Sequence, residues 1–265
     1  MNPKIHILRL KYELFSKVKD FKISLITVTY NAEATISRCI ESVIAQNHHN
    51  LEYIIIDGCS TDNTLQIINQ YKDFVDVFIS EPDKGVYDAM NKGILNASGD
   101  IIGMLNADDF FADNNVLDCI SAAFAAQETS IVFGDLHYIN AQGKIIRNWK
   151  SNNYVQGKYN WGWMPPHPSF YCKRELFERF GFYSLDYGTA ADYELMLRFM
   201  HLNKVEGFYL NKVLVKMQCG GMSNKNPMSR IKAWRFDLKA MYENDITFPL
   251  LTLFIKPLRK IGQYL

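Results

Sequence analysis

Lys22-Ile23-Ser24-Leu25-Ile26-Thr27-Val28-Thr29 is a β-rich apolar run, and Ala32 to Gln46 follows it with Ile36, Cys39, Ile40, Val43 and Ile44 at helical spacing. The alternation repeats: a strand over Leu51 to Asp57, a helix over Asp62 to Tyr71, a strand over Val75 to Ser80, a helix over Val86 to Asn96, and a strand over Asp100 to Leu105. Near-continuous apolar strands alternating with amphipathic helices indicate a mostly parallel sheet flanked by helices, a doubly wound α/β domain. Ligands of such sheets lie beyond the carboxyl ends of the strands. Three polar clusters fall there: Thr29-Tyr30-Asn31, Asp57-Gly58-Cys59-Ser60-Thr61-Asp62 and Asn106-Ala107-Asp108-Asp109. They are expected to converge.

Asp108 and Asp109 are adjacent carboxylates at the lip of a buried strand, and they repel unless a positive group sits beside them. A divalent cation would do this; Mg²⁺ or Mn²⁺ keeps waters and takes further ligands from substrate phosphates. The plain alternative is a turn at a strand end. Asp57 ends a strongly apolar strand, where it either accepts hydrogen bonds from a base or ribose or holds a turn. Ser60, Thr61 and Asp62 are ordinary capping residues. Asp83-Lys84-Gly85 is either a simple turn or the opening of a helix whose backbone N–H groups and Gly85 could approach a donor, while Lys84 and Lys92 either touch phosphate or stay solvated.

With 265 residues, 48% of them hydrophobic, the chain can bury a sizeable core and is not a disordered polymer. Five cysteines, widely spread and without a C-x-x-C pair, suit a reducing compartment, with most expected to be buried thiols. The first 20 residues carry charges throughout and do not read as a signal peptide, so a cytoplasmic location is expected. Net charge is +1, but residues 1 to 22 hold six Lys/Arg against two acids and residues 225 to 265 hold eight against three, which leaves the middle at −8. An acidic body with two basic ends does not point to a nucleic-acid partner. The division read from this is a basic extension over 1–21, a catalytic domain over 22–225 and a basic amphipathic helical tail over 226–265.

Jointly, Ser24 to Asn31, Ile56 to Asp62, Asp83-Lys84-Gly85-Val86-Tyr87-Asp88-Ala89-Met90-Asn91-Lys92-Gly93, Leu105 to Asp109, His167-Pro168-Ser169-Phe170 and Ala191 to Phe199 resemble a family 2 glycosyltransferase. The resemblance implies a GT-A fold. It also implies transfer of a sugar, with inversion, from a nucleotide diphosphate donor, a UDP-sugar first among them, to an acceptor hydroxyl in glycan or polysaccharide synthesis. Carried onto matching positions, Thr29, Tyr30 and Asn31 line the donor site, with Tyr30 stacking on the nucleobase and Asp57 at its edge. Asp108 would hold the ribose and Asp109 the metal, Mg²⁺ or Mn²⁺, that bridges the diphosphate. The family often has an acid where this chain has Asn106, and two consecutive acids where it has Asp57-Gly58. Gly220 to Ser223 looks like a segment that closes over the donor in relatives.

Transfer builds negative charge on the leaving oxygen, which a cation stabilises most in the transition state, and it needs a base for the acceptor proton. Asp192 in Ala191-Asp192-Tyr193-Glu194 is the expected base; read locally, it is a helix N-cap. His167, flanked by Pro166 and Pro168, is either a cleft residue or a hydrogen-bonded structural histidine. Trp149, Trp161 and Trp163 serve either as sugar platforms or as core.

In the tail, Met228, Ile231, Trp234, Leu238 and Met241 form one helical stripe, and Lys256, Arg259 and Lys260 follow. The helix either packs on the domain or lies on an anionic membrane surface, which would make the protein peripheral to the inner face and bring it to a lipid-linked acceptor. Two rivals carry less. A sugar nucleotidyltransferase would want a Gly-rich basic loop after the first strand, where Tyr30-Asn31-Ala32-Glu33 stands. A non-catalytic sugar- or nucleotide-binding module would release no nucleotide.

Overall fold

Strands β1 (Ile23–Thr29) and β2 (Leu51–Asp57) of the computed structural model, which describes residues 20–218 and 227–264, are buried on both faces. Ile23, Leu25, Tyr53 and Ile55 join one core, and Ile26, Val28, Ile54 and Ile56 join the other. This two-sided burial is why the strands read as continuous apolar runs. Burying each such Ile contributes about 1.5–3 kcal/mol. β1 pairs in parallel with β2 and with β4 (Ile101–Met104), and β2 with β3 (Val77–Ser80). Helices α1 (Ile36–Ile44), α2 (Thr64–Gln70) and α3 (Val86–Asn96) make the connections. α1 starts later than the periodicity suggests because the Ala32 carbonyl closes a turn, accepting from Thr35 N and Ile36 N.

Beyond β4 the sheet becomes mixed. β5 (Asp109–Phe111), α4 (Val116–Gln127), β6 (Ile131–Ile139), β7 (Ile145–Trp149), β8 (Phe170–Lys173), α5 (Glu175–Phe180), α6 (Ala191–Met196) and β9 (Gly207–Gln218) follow in the chain. The strand order is β3-β2-β1-β4-β8-β6-β9-β5, with β7 on β6. β5 runs antiparallel to β9, with Asp109 opposite Met217. α6 continues into a π-helical turn over Leu197–Leu202. Arg198 fixes that segment with two bonds to Glu194, at 2.8 and 2.9 Å, and others to the carbonyls of Phe180, Gly181 and Phe182.

The tail forms α7 (Pro227–Glu243) and α8 (Pro249–Leu258), both packed on the domain. The expected apolar stripe divides: Met241 is fully buried and Leu238 packs at the core's edge, while Ile231 and Trp234 are exposed. The expectation that Lys256, Arg259 and Lys260 together face lipid is corrected. Lys256 is buried, its ammonium 2.9 Å from Asp237 Oδ1 and 3.4 Å from the centre of the Tyr193 ring. At Gly162, where φ is +71°, a Cβ would sit 2.7 Å from the backbone of Lys256, so only glycine lets the tail come this close. α8 buries Thr252, Leu253 and Lys256 and turns Leu250, Leu251, Phe254 and Leu258 outward.

No helix among the described residues is long and apolar enough to cross a membrane. Apart from Asp20 and Phe21, the basic extension lies outside the described residues, as do Cys219 and Gly220 to Ser223. Of the other cysteines, all free, Cys39 and Cys172 are buried, Cys119 is partly covered and Cys59 is exposed.

Candidate active site

The loops after β1, β2 and β3 meet at Gly58. Its N–H donates to Thr29 O at 2.9 Å, and a Cβ added to it would overlap Asp83 Oδ2 and lie 3.5 Å from the ring of Tyr30. The missing side chain of Gly58 therefore brings Tyr30 and Asp83 together, as the strand order of a parallel sheet allows. Tyr30 is 59% exposed. Asn31 adopts φ 49°, accepts from Thr61 N at 2.8 Å through Oδ1 and donates its N–H to Ser60 Oγ at 2.8 Å. Thr29 is buried, with its hydroxyl unpartnered.

Asp57 is fully buried, and its carboxylate accepts from Ser60 N, Ser60 Oγ and Ser80 Oγ. Of the two readings open for it, this geometry is that of the turn-holder: three donors from two loops fix the strand ends beneath Tyr30. Asp83 Oδ1 accepts from Gly85 N at 2.8 Å, and Lys84 N donates to Asp88 Oδ2 at 3.0 Å, which shapes the entry to α3. The Lys84 side chain is exposed. Lys92 binds Glu81 at 2.8 Å and the Pro82 carbonyl at 2.7 Å, tying down the loop rather than facing a ligand, and Glu81 hydrogen bonding first of all raises its pKa.

The acidic motif is a tight turn, with Asp109 N donating to Asn106 O at 2.9 Å. Arg38 braces it, reaching Gln218 Oε1 at 2.6 Å and the Asp108 carbonyl at 3.5 Å and lying 4.3 Å from the centre of the Phe110 ring. The two acids differ in place. Asp108 is half-buried, whereas Asp109 is 0% exposed, accepts from Asn106 Nδ2 at 3.2 Å through Oδ2, and leaves Oδ1 buried without a partner. Burial, and after it the neighbouring Asp108, pushes the Asp109 carboxyl well above the usual range. A buried unpartnered carboxylate oxygen beside a second carboxylate fits a divalent cation that draws its other ligands from a diphosphate. Among the described residues no group of three or more His, Cys, Asp or Glu forms a metal cage by itself.

Across the cleft, Asp192 sits in the first turn of α6, with Ala190 at the cap position, so local capping is not its role. Its Oδ2 is 3.2 Å from His167 Nδ1, and its Oδ1 accepts from the Tyr87 hydroxyl at 3.2 Å. The Asp192 side chain is 14% exposed and that of His167 31%, so the pair opens to the surface. Tyr87 belongs to the first turn of α3, just after the Asp83-Lys84-Gly85 loop. Burial, and then the charge of Asp192, holds its hydroxyl protonated as a donor. In the sequence, the one signal of Tyr87 is its place within the Asp83 to Gly93 motif. Trp149 and Trp163 are core residues, and Trp161 alone of the three is exposed.

The glycosyl transferase family 2 model matches residues 24–187. An uncharacterized glycosyltransferase of Mycobacterium tuberculosis is 31% identical over 183 residues, covering 66% of this chain and 68% of that protein. A PGL/p-HBAD biosynthesis glycosyltransferase of Mycobacterium bovis is 29% identical over 217 residues, covering 76% of this chain and 78% of that one. Among solved structures, S. aureus TarS 1-349 in complex with UDP-GlcNAc superposes with a TM-score of 0.70 at 18% identity, over 91% of this chain and 73% of that one. The Pyrobaculum calidifontis mannosyltransferase PcManGT in complex with GDP-Man and Mn²⁺ gives 0.64 at 16% identity, over 96% and 79%. These two likenesses establish the GT-A fold; the family match, which spans the loops after β1, β2 and β3, the acidic turn and His167, together with the 31% identity, establishes descent. The chain belongs to glycosyl transferase family 2.

Proposed function

We propose that the protein transfers a sugar, with inversion and with Mg²⁺ or Mn²⁺, from a UDP-sugar to an acceptor hydroxyl in the synthesis of a cell-surface glycan. The observation that carries this reading is the Tyr87–Asp192 hydrogen bond, which ties the general base to the helix that begins at the donor loop. Tyr30 offers its exposed face to the base, while Asp57 and Asn31 hold the loops that shape the nucleotide site. Exposed Lys84 stands where a diphosphate would enter. At the acidic turn half-buried Asp108 and the unpartnered Oδ1 of Asp109 together offer a cation its carboxylate oxygens. A bound cation would supply Lewis-acid stabilisation of the leaving diphosphate.

Asp192 takes the acceptor proton on a carboxylate oxygen, each of which has a lone pair beyond the bond it already accepts. His167 and Tyr87 hold that carboxylate in one orientation. A single base set across the cleft from the leaving group suits direct displacement, hence inversion. The solved complexes of TarS with UDP-GlcNAc and of PcManGT with GDP-Man and Mn²⁺ support a nucleotide-sugar donor.

The test is nucleotide release from a panel of UDP- and GDP-sugars, with and without Mn²⁺, alongside calorimetric UDP affinities. Slow metal-dependent release and metal-dependent UDP affinity, weakened in Asp108→Asn, are expected. Binding without release across the panel would leave a binding module.

A lipid-linked acceptor at the cytoplasmic membrane face completes the reading. Its support is the outward face of α8, Leu250, Leu251, Phe254 and Leu258, beside exposed Arg259. Vesicle co-sedimentation should fall more for Leu250→Ser/Phe254→Ser than for Arg259→Gln; equal binding by all three proteins would remove the membrane from the account.

A further inference from the structure

Between β7, the Gly162–Met164 segment and α8 lies a cavity of about 230 Å³ that the transfer chemistry described above does not use. Four cations, Lys150, Lys256, Arg259 and Lys260, line it, with amide groups of Asn148 and Asn152 between them, and the lining contains neither Asp nor Glu. Lys256 is already matched to Asp237. Lys260 is half-buried, and while its backbone N–H donates to the Pro257 carbonyl at 3.1 Å, its ammonium makes no hydrogen bond or ion pair among the described residues. Burial, and then the charges of Lys256 and Arg147, pull its ammonium down to about 8. A half-buried cation held among other cations, with the Asp237 and Asp192 carboxylates offsetting them only in part, is a poor arrangement until an anion arrives.

The position of the cavity gives that anion a purpose. Lys256 lies over the ring of Tyr193, the neighbour of Asp192 in the chain. Trp163 and Met164, on the cavity wall, lead directly to His167, the partner of Asp192. The Asp192 carboxylate is itself among the charges that Lys260 feels. The cavity thus adjoins the segment that carries Asp192. We infer that this cavity is a phosphate subsite for the acceptor, so that an acceptor hydroxyl reaches Asp192 while a phosphate borne by the same molecule sits against Arg259 and Lys260. A guanidinium and an ammonium from one helical end suit a tetrahedral anion with several acceptor oxygens. The inference rests on the proposed acceptor side of the reaction. The phosphate belongs either to a lipid-linked acceptor or to a soluble sugar phosphate.

The experiment is calorimetric titration of the full chain, saturated with UDP and Mn²⁺ so that the donor site is filled, with glycerol phosphate and separately with decyl phosphate. Both probes are expected to bind at one site. Lys260→Gln should weaken them about tenfold or more, the loss that one charge-assisted hydrogen bond carries. Lys260→Arg should restore most of the affinity, and UDP affinity should stay unchanged. Tighter binding of decyl phosphate would assign the lipid-linked source, and equal binding the soluble one. Should Lys260→Gln lose UDP binding through misfolding, Arg259→Gln at an exposed position carries the same expectation. Wild-type protein that binds UDP but neither phosphate, or variants with undiminished phosphate affinity, would overturn the subsite. Phosphate binding without release of nucleotide from any sugar donor would instead overturn the transfer reading alone.

Discussion

On the proposed donor side of the cleft, Tyr30, Asn31, Gly58 and Asp83 come from loops at the ends of adjacent parallel strands, fixed largely by backbone groups such as Gly58 N–H on the Thr29 carbonyl. On the proposed acceptor side, Asp192 is held by two side chains, one of them 105 residues away in sequence. The first region inherits its geometry from strand order and fails only if the loops are forced apart. The second hangs on individual polar atoms, so single-atom substitutions should be felt there first.

The largest expected effect follows. Asp192→Asn keeps the shape of the side chain but removes the base, and turnover should fall by about 10² to 10⁴ with donor affinity unchanged. Steady-state rates beside calorimetric UDP affinities would show this; near-normal turnover would return Asp192 to a structural role. Tyr87→Phe removes one hydroxyl from the shell of that carboxylate. A hydrogen bond to a charged group is worth about 1.5–3 kcal/mol, so turnover should drop by roughly ten- to a hundredfold, again at constant donor affinity.

Gly58→Ala probes the other region. Its methyl group must displace the Asp83 carboxylate, and overpacking of this kind costs about 1–3 kcal/mol. Donor affinity should weaken about tenfold while the rate at saturating donor changes little; a loss of rate alone would erase the distinction between the two sides.

The smallest effect lies outside both. Glu52, on β2, is raised by burial but pulled down more by bonds from Ser24, Ser98 and Lys22, to about 2. Its folded value lies below its unfolded one. The stability it contributes is therefore present above the ordinary carboxylate range, near 4.5, and lost as pH falls toward about 2. Acid unfolding followed by circular dichroism should show a shallower pH dependence in Glu52→Gln, with cleft chemistry unaffected.

How far the sequence could be read divides along the same line. β2 and α3 have the bounds expected from pattern alone, because two-sided burial and helical spacing are local signals. That the three polar clusters share one end of the sheet follows from the parallel pairing of β1 with β2 and β4. Other features could not be read locally. The place of Asp192 within a first turn depends on His167 and Tyr87 rather than on its neighbours. The relative depth of Asp108 and Asp109 depends on β5 pairing with β9, about a hundred residues on. Trp149 and Trp163 read equally as sugar platforms or as core, because composition does not say which aromatic residues a core will take. The mixed half of the sheet, beyond β4, left no periodic mark comparable to the first four strands.

Gly162 has a practical bearing on engineering. Because the backbone of Lys256 rests directly on it, the last helix is a wall of the domain, and trimming the chain before Pro249 to gain solubility should do the reverse. Removing that wall would leave the Asp237 carboxylate without its cation, a loss of about 3–5 kcal/mol when such a buried pair is broken, and would bare Trp163 and Tyr193 to water. A shortened protein should therefore aggregate, and solubility is better sought by exchanging the outward residues Leu250, Phe254 and Leu258 for polar ones.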